Sequence, residues 1–297
     1  MLRKVILLVI DGMDVVNFTL ADTPVMGGWH GRTAVGVAHT EIIGAGTTIT
    51  PVAHGMMGTG QNVIALRPGL ETTGRPYTYE GTKAVTIGDA ARSLGIPTAA
   101  VGKNEAAIVL GGTDMVEISR LERNGVDATD AELIARETLG VLAAMPDRGL
   151  VVVNYNGVDS AAHRRDVLAT IDAVQAADRM VGQIIRATDL ADTLVVIAAD
   201  HGTNPLTGRH NPVPTPLMLI NECIVGRAHL GVVHNLEIAV TIAAALGLNL
   251  PAAALGRDLL ALAVAGITTG DYRQTLDSQF NAYLASQAKR HLVAHED

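Results

Sequence analysis

Three segments of this chain end apolar runs on carboxylates or imidazoles. Val5–Ile10 runs into Asp11-Gly12, and Leu150–Tyr155 leads through Asn156-Gly157-Val158-Asp159 to His163. Leu194–Ala199 runs into Asp200-His201-Gly202, and His210 follows in the loop Gly208-Arg209-His210-Asn211-Pro212. Each has a bland reading when taken alone. Asp-Gly is a common turn, Asp159 and His163 at i, i+4 suit a helix start with a surface histidine, and a lone His210 is an ordinary loop residue. Together they imply more, because three aspartates and three histidines at strand ends meet along one edge of a sheet. Carboxylates packed there without cations repel one another and resist desolvation. Divalent metals remove that cost, and mixed Asp/His ligation suits zinc, with manganese as the alternative. Six ligands exceed one tetrahedral ion and suit two ions about 3.5–4 Å apart, the spacing of two-metal phosphoryl-transfer sites.

Such a site needs a nucleophile. The stretch from Gly44 through Thr47-Thr48-Ile49-Thr50-Pro51 to His54 offers hydroxyls. Thr50 before Pro51 reads as a helix N-cap followed by the first helical residue. A hydroxyl there is expected among free backbone N–H groups at the positive helix end, where a phosphoryl oxygen binds well. An isolated Thr-Pro is otherwise simply a well-capped helix.

The elements that must position these residues follow from apolar patterning. Buried strands are expected at Lys4–Ile10, Thr33–Ala38, Thr98–Val101, Leu150–Tyr155, Leu194–Ala198 and Pro216–Ile220. Helical patterns lie at Ile87–Leu94, Asp130–Ala144, Asp166–Thr188, Asn235–Leu246 and Leu255–Ala265. The alternation predicts an α/β fold, a mostly parallel central sheet covered by helices on both faces. Ligands in such sheets bind beyond the carboxyl ends of the strands. Gln61–Lys83, rich in Gly, Thr and Pro, is expected to form a long loop or lid. Tyr272–Leu292 is a polar, helix-compatible tail, available for docking or for self-association into a homo-oligomer.

The composition of the 297 residues narrows the options. With 48% hydrophobic and 18% charged residues, a large core forms and disorder is excluded as the main state. A net charge of −8 argues against nucleic acid or an anionic membrane as partner, and 3% aromatics leaves few stacking platforms. The single cysteine, Cys223, excludes an internal disulfide and points to a reducing, cytoplasmic setting. Met1-Leu2-Arg3-Lys4 imitates a signal-peptide start, but the apolar run stops at Asp11 and no small-residue cleavage site follows, so a first strand is expected instead.

The ordered set of motifs resembles the alkaline phosphatase superfamily of metalloenzymes over roughly residues 4–262. The strand-Asp11-Gly12 start, the Thr-rich helix start, Asp159-x-x-x-His163, Asp200-His201-Gly202 and His210 appear in that superfamily's order. Thr50 with His54 and Thr59-Gly60, and Asp159-Ser160-Ala161-Ala162-His163, are similar to the nucleotide pyrophosphatase/phosphodiesterase branch. His201 to Pro216 is similar to both that branch and the cofactor-independent phosphoglycerate mutases. Asn235–Thr241 through Gly256-Arg257 resembles the family's closing segment. The resemblance implies one three-layer domain over 1–297, with 61–83 as lid and 272–297 as tail. It implies that Asp159, His163 and His210 hold one metal. It gives Asp11, Asp200 and His201 the second, with Thr50 bound there as nucleophile and His54 supporting the nucleophile turn.

The activity this implies is a two-metal phosphohydrolase, phosphodiesterase- or pyrophosphatase-like, acting on a small phosphorylated substrate through a phosphothreonine. A phosphomonoesterase or phosphomutase is the alternative, and a non-catalytic metal-stabilised binding protein is a reading from another class. Roughly ninety residues separate Gly60 from Leu150, and core elements already use many of them, so a mutase cap domain hardly fits. The sequence departs from the phosphodiesterase pattern at Ala53, where an Asn usually stands, and the branch's later Asn has no evident counterpart. Lys103, Asn104, Arg164 and Arg32 are candidates to contact the phosphate instead, and the three charged ones equally suit surface salt bridges. No Cys-x-Pro-x-Arg stands at the nucleophile, which argues against a formylglycine sulfatase.

Overall fold

A computed structural model of the chain describes residues 1–28, 32–41, 48–62, 65–66, 76–77, 83–111 and 128–267. The expected tail at 272–297 lies outside the described residues, as does most of the expected lid at 61–83.

The first half contains β1 (Lys4–Ile10), α1 (Val15–Leu20), β2 (Arg32–His39), α2 (Thr50–Thr59), the short pair β3 (Ala65–Leu66) and β4 (Pro76–Tyr77), α3 (Ile87–Ser93), β5 (Thr98–Gly102), α4 (Ala106–Val109) and α5 (Ala131–Ala144). Next come β6 (Gly149–Tyr155), α6 (Gly157–His163), α7 (Val167–Arg186), β7 (Thr193–Ala198), β8 (Gly202–Asn204) and β9 (Arg209–Asn211). The chain continues through β10 (Thr215–Ile220), β11 (Gly226–His234), α8 (Leu236–Leu246) and α9 (Leu259–Val264).

Seven strands form one sheet in the order β11-β2-β10-β7-β1-β6-β5. β10 runs antiparallel to both neighbours, and the other pairings are parallel. β1 lies at the centre because its side chains are apolar on both faces. Val5, Leu7 and Val9 enter the core beneath α2, α3 and α8, whereas Ile6, Leu8 and Ile10 enter the core beneath α5 and α7. The three layers expected from the sequence are therefore present.

Three details differ from the sequence reading. β11 extends the sheet by pairing with β2, with a register shift between His229 and Gly231. α9 starts at Leu259 rather than Leu255, because Asp258 accepts from the amides of Leu260 and Ala261 and so fixes the helix start. The N-cap of α2 is Ile49, not Thr50; Thr50 and Pro51 are already helical.

The topology places the carboxyl ends of β5, β6, β1 and β7 side by side. The residues that follow them are Lys103, Asn156, Asp11 and Ala199-Asp200. No helix among the described residues is long and apolar enough to cross a membrane.

Candidate metal centre

Each candidate ligand is held by the turn that leaves its strand. Asp11 N–H donates to Tyr155 O (3.0 Å), and Asp11 O accepts from Asp159 N–H (3.0 Å), which ties the end of β1 to the first turn of α6. Gly12 makes this approach feasible. Its φ is +78°, and a Cβ there would lie 2.8 Å from both Cα and Cβ of Asp159. Asp200 Oδ1 accepts from the backbone N–H of Gly12 (3.2 Å) and of His201 (3.0 Å), which leaves Oδ2 to face the cluster.

The side chains converge in two overlapping groups. His201 Nε2 is 3.6 Å from Asp11 Oδ1, 3.4 Å from Asp200 Oδ2 and 3.0 Å from Thr50 Oγ1. His163 Nε2 is 3.2 Å from Asp159 Oδ1 and 3.3 Å from His210 Nε2, and His210 Nε2 is 3.8 Å from Asp159 Oδ1. The rings of His201 and His210 stack with centroids 3.6 Å apart, which joins the groups. Asp159, His201 and His210 also lie close enough to share an ion, so His201 stands between the two sets.

The backbone sets the histidine tautomers. His163 Nδ1–H donates to Gly208 O (2.9 Å) and His210 Nδ1–H to Thr48 O (3.2 Å). Both Nε2 lone pairs therefore point inward, the arrangement that orients imidazole ligands in metal sites. His54, fully buried, donates from Nδ1–H to Thr50 O (2.8 Å) and accepts at Nε2 from Asn154 Nδ2 (2.8 Å). It braces the turn that carries Thr50.

The electrostatics report a cluster short of positive charge. Burial pushes the Asp200 carboxyl well above the usual range, and the nearby Asp11 adds to this. Burial and Asp11 likewise raise Asp159. Burial also acts upward on Asp11, but Lys103, His201 and His54 outweigh it and its carboxyl ends below the usual range. Lys103 Nζ donates to Asp11 Oδ2 (3.0 Å) and is held above the ordinary lysine range, its burial offset by Asp11, Glu105 and Asp200. Burial keeps the imidazoles neutral, lowering His201 to about 3 and His54 to about 4.

A metal pair fits these residues on a direct observation. Asp11 Oδ1 and Asp200 Oδ2 are buried carboxylate oxygens with no hydrogen-bond partner among the described residues, and both face His201 Nε2. Buried anionic oxygens without partners are costly, and a divalent cation between them satisfies both.

The structure brings Asp11, Thr50, Asp159, His163, Asp200, His201 and His210 together, and brings Lys103 against Asp11. It does not bring in every sequence candidate. Arg164 is exposed and bonded to Ser160 Oγ (2.9 Å), and Arg32 pairs with Glu222. Among the described contacts, Asn104 enters only through its carbonyl, which accepts from Ala107 N–H. The expected ring of free amides around Thr50 is also smaller than anticipated. Val52 and Ala53 N–H both bond Ile49 O and Pro51 has none, which leaves the Thr50 N–H. Because Thr50 is not the cap, its hydroxyl is free to face His201.

Two polar residues escape a sequence reading. Asn154 bridges His54 and Asp11 Oδ2 (3.4 Å), and Thr203 touches both ligand groups. Thr203 has a faint signal in its spacing, two residues beyond His201.

A mostly parallel sheet between helical layers, with carboxylates and imidazoles gathered at its carboxyl edge, is an alkaline phosphatase-like architecture. The chain belongs to the metalloenzyme superfamily, whose family model matches residues 3–250. Its fold is similar to the alkaline phosphatase of Thermus thermophilus, with TM-score 0.65 and 14% identity over 89% of this chain and 95% of that one. It is also similar to the alkaline phosphatase of the Antarctic bacterium TAB5, with TM-score 0.62 and 13% identity over 83% of this chain and 98% of that one. In sequence it is similar to the 2,3-bisphosphoglycerate-independent phosphoglycerate mutase of Methanopyrus kandleri, 31% identical over 122 residues, covering 38% of this chain and 28% of that protein. The enzyme of the same name from Desulforudis audaxviator is 32% identical over 139 residues, 43% of this chain and 27% of that protein. The chain thus spans about a quarter of the length of these curated relatives. The family and the ligand groups indicate a metal-dependent enzyme that uses divalent ions.

Proposed function

We propose that this metalloenzyme is a two-metal phosphohydrolase that cleaves small phosphate esters or anhydrides through a phosphothreonine at Thr50. The observation that carries the reading is the Thr50 hydroxyl, free of capping duty and 3.0 Å from His201 Nε2 beside the unpartnered oxygens of Asp11 and Asp200. Asp159, His163 and His210 would hold one ion, and Asp11, Asp200 and His201 the other. When bound, the ions would supply Lewis acidity toward the Thr50 hydroxyl and the phosphoryl oxygens; zinc suits the donor set and manganese is the alternative.

The chain's own groups account for the rest. Thr50 Oγ1 forms a bond to phosphorus as the bond to the leaving oxygen breaks, and the hydroxyl proton ends on the departing oxygen. Water then attacks the phosphothreonine, breaking the Thr50 Oγ1–P bond, restoring the hydroxyl and releasing a phosphate monoester from a diester or inorganic phosphate from a monoester. His54 holds the Thr50 carbonyl and so the hydroxyl's aim. Lys103 balances Asp11 and lies in reach of an anion bound at the edge of the sheet. The Thr50 N–H, without a partner among the described residues, is a donor for a phosphoryl oxygen.

Release to water, rather than return of the phosphoryl group to substrate, is supported by chain length. Between α2 and β6 the stretches without a described core element are 60–86, interrupted only by β3 and β4, and 110–130. Both are shorter than the ~50 residues of a small domain.

The motifs around Thr50 and Asp159 favour diesters or pyrophosphates. One observation favours monoesters as a second reading: the Lys103 ammonium adds positive charge to the site, which a dianionic group exploits better than a monoanion. The test is a metal-depletion and re-addition assay on bis-p-nitrophenyl phosphate and p-nitrophenyl phosphate. Metal-dependent turnover is expected, with diester preference supporting the first reading and monoester preference the second. Absence of metal-dependent turnover on any phosphate ester would leave the metal-stabilised binding protein.

A further inference from the structure

We infer that Thr203 is a positioning residue whose single hydroxyl orients both candidate metal sites at once. The inference rests on reading the six Asp and His residues as ligands. Thr203 lies on β8, the strand that leaves His201, and its cross-strand partner on β9 is His210. Its hydroxyl donates to Asp159 Oδ1 at 2.7 Å, a carboxylate of the first site. The same oxygen lies 3.3 Å from Nδ1 of His201, a ligand of the second.

A hydroxyl carries one proton, so the two contacts have a fixed direction. The short bond to a carboxylate uses that proton, and the oxygen's lone pair must then accept from His201 Nδ1–H. This defines the His201 tautomer. Nδ1 carries hydrogen, and Nε2 presents its lone pair to Asp11, Asp200 and Thr50. The hydrogen bond also turns the Asp159 carboxylate toward His163 and His210.

Thr203 itself has little freedom. Its N–H donates to Gly12 O (3.1 Å), its carbonyl accepts from Asn17 Nδ2 (3.1 Å), and the residue is fully buried. The side chain is therefore a fixed post between the ligand groups. Hydrogen-bonded supports of metal ligands typically change affinity 10–100-fold when removed. A support shared by both groups should weaken both ions together.

The experiment compares wild type, Thr203→Val and Thr203→Ser. Zn²⁺ is titrated calorimetrically into each metal-free protein, and ¹⁵N NMR of the histidine side chains reads the His201 tautomer. The expected result is two ions bound by the wild type, both weakened about 10–100-fold in Thr203→Val, and affinities within about threefold of wild type in Thr203→Ser. His201 of the wild type should carry hydrogen on Nδ1, with or without zinc.

Wild-type affinities for both ions in Thr203→Val would overturn the inference. So would weakening of only one ion, or a loss in Thr203→Ser as large as in Thr203→Val, which would make the side chain's packing the cause. A wild-type His201 without hydrogen on Nδ1 overturns it even if the valine variant fails to fold. A wild type that binds no zinc overturns the metal reading itself, a different outcome from two ions bound with an indifferent valine.

Discussion

Replacing Gly12 with alanine tests whether the close approach of β1 to α6 sets the site. Two costs arise from the geometry. The backbone at φ +78° disfavours a side chain by roughly 1–2 kcal/mol. The new Cβ would lie 2.8 Å from Cα and Cβ of Asp159 and 3.0 Å from its N. The atoms it meets belong largely to the backbone of a helix and cannot swing aside, so overpacking adds roughly 1–3 kcal/mol. Reduced freedom of the unfolded chain returns about 0.4–1 kcal/mol. The net loss is about 1–5 kcal/mol, a fall in Tm of roughly 2–7 °C for a chain of this size.

Gly95→Ala is the control. Gly95 has φ +68° and nothing within 4 Å of the added Cβ, so it carries the backbone cost without the clash. Thermal melts of metal-free wild type, Gly12→Ala and Gly95→Ala separate the two terms, and a zinc titration shows whether Asp159 has moved. We expect Gly12→Ala to lose more stability than Gly95→Ala and to weaken zinc binding, while Gly95→Ala binds zinc normally. Equal losses for the two variants, with unchanged zinc affinity in both, would refute the argument that Gly12 admits Asp159.

Further outcomes follow from the same geometry. Thr50→Ala should reduce phosphate-ester turnover to background and still bind two ions, whereas Thr48→Ala, whose carbonyl rather than hydroxyl meets His210, should keep most activity; the opposite pattern in a paired kinetic and calorimetric assay assigns the nucleophile to Thr48. A chelator should strip the ions in two phases, because the His163 side chain is 45% exposed while Asp11, Asp200 and His201 are fully buried; a single release rate on stopped-flow would contradict that asymmetry. The metal-free fold binds fewer protons than the unfolded chain at His54, whose burial lowers it from 6.5 to about 4. Its contribution is therefore present above pH 6.5 and lost as pH falls toward 4, by about 3 kcal/mol. Denaturant melts of His54→Gln should show a flatter slope across that window, and an unchanged slope would place the proton uptake elsewhere.

The parts of the fold that read clearly in the sequence are those with a single physical demand. β1, β6 and β7 are buried on both faces, so an unbroken apolar run is the only composition that suits them. β11 has no such signal. Its burial follows no regular alternation, with Leu230, Val233 and His234 buried among exposed and half-buried residues, and Gly231 interrupts the run where the register shifts. α2 is weakly helical by composition, since Gly55 and Gly58 lie inside it. Gly58 is required there because a Cβ would come 2.6 Å from Val109 O on α4, a demand only the packed structure reveals. The gathering of Asp and His at the sheet edge was legible because those side chains have few other reasons to follow buried strands. Thr203 and Asn154 were not, because threonine in a strand and asparagine at a strand end are ordinary residues until their partners are known. Lys103 was legible as a cation near the site, but its pairing with Asp11 depends on β5 lying beside β6 in the sheet order.

The charge balance at the sheet edge links these observations to the choice of substrate. Asp11, Asp159 and Asp200 supply three negative charges, Lys103, which Glu105 also approaches at 3.8 Å, supplies one positive, and burial keeps His54 and His201 neutral. Without cations, the excess has one outlet, protonation, and Asp200 and Asp159 are pushed up while Asp11, against Lys103, is not. Two divalent ions would more than cancel this excess of negative charge and leave the cluster net positive. A dianionic phosphoryl group is attracted to such a cluster more strongly than a monoanionic diester. Lys103→Ala removes one positive charge without removing a ligand, so it should penalise a dianion more than a monoanion. Diester selectivity, if found, must then come from contacts to the second ester group rather than from the charge of the metal cluster.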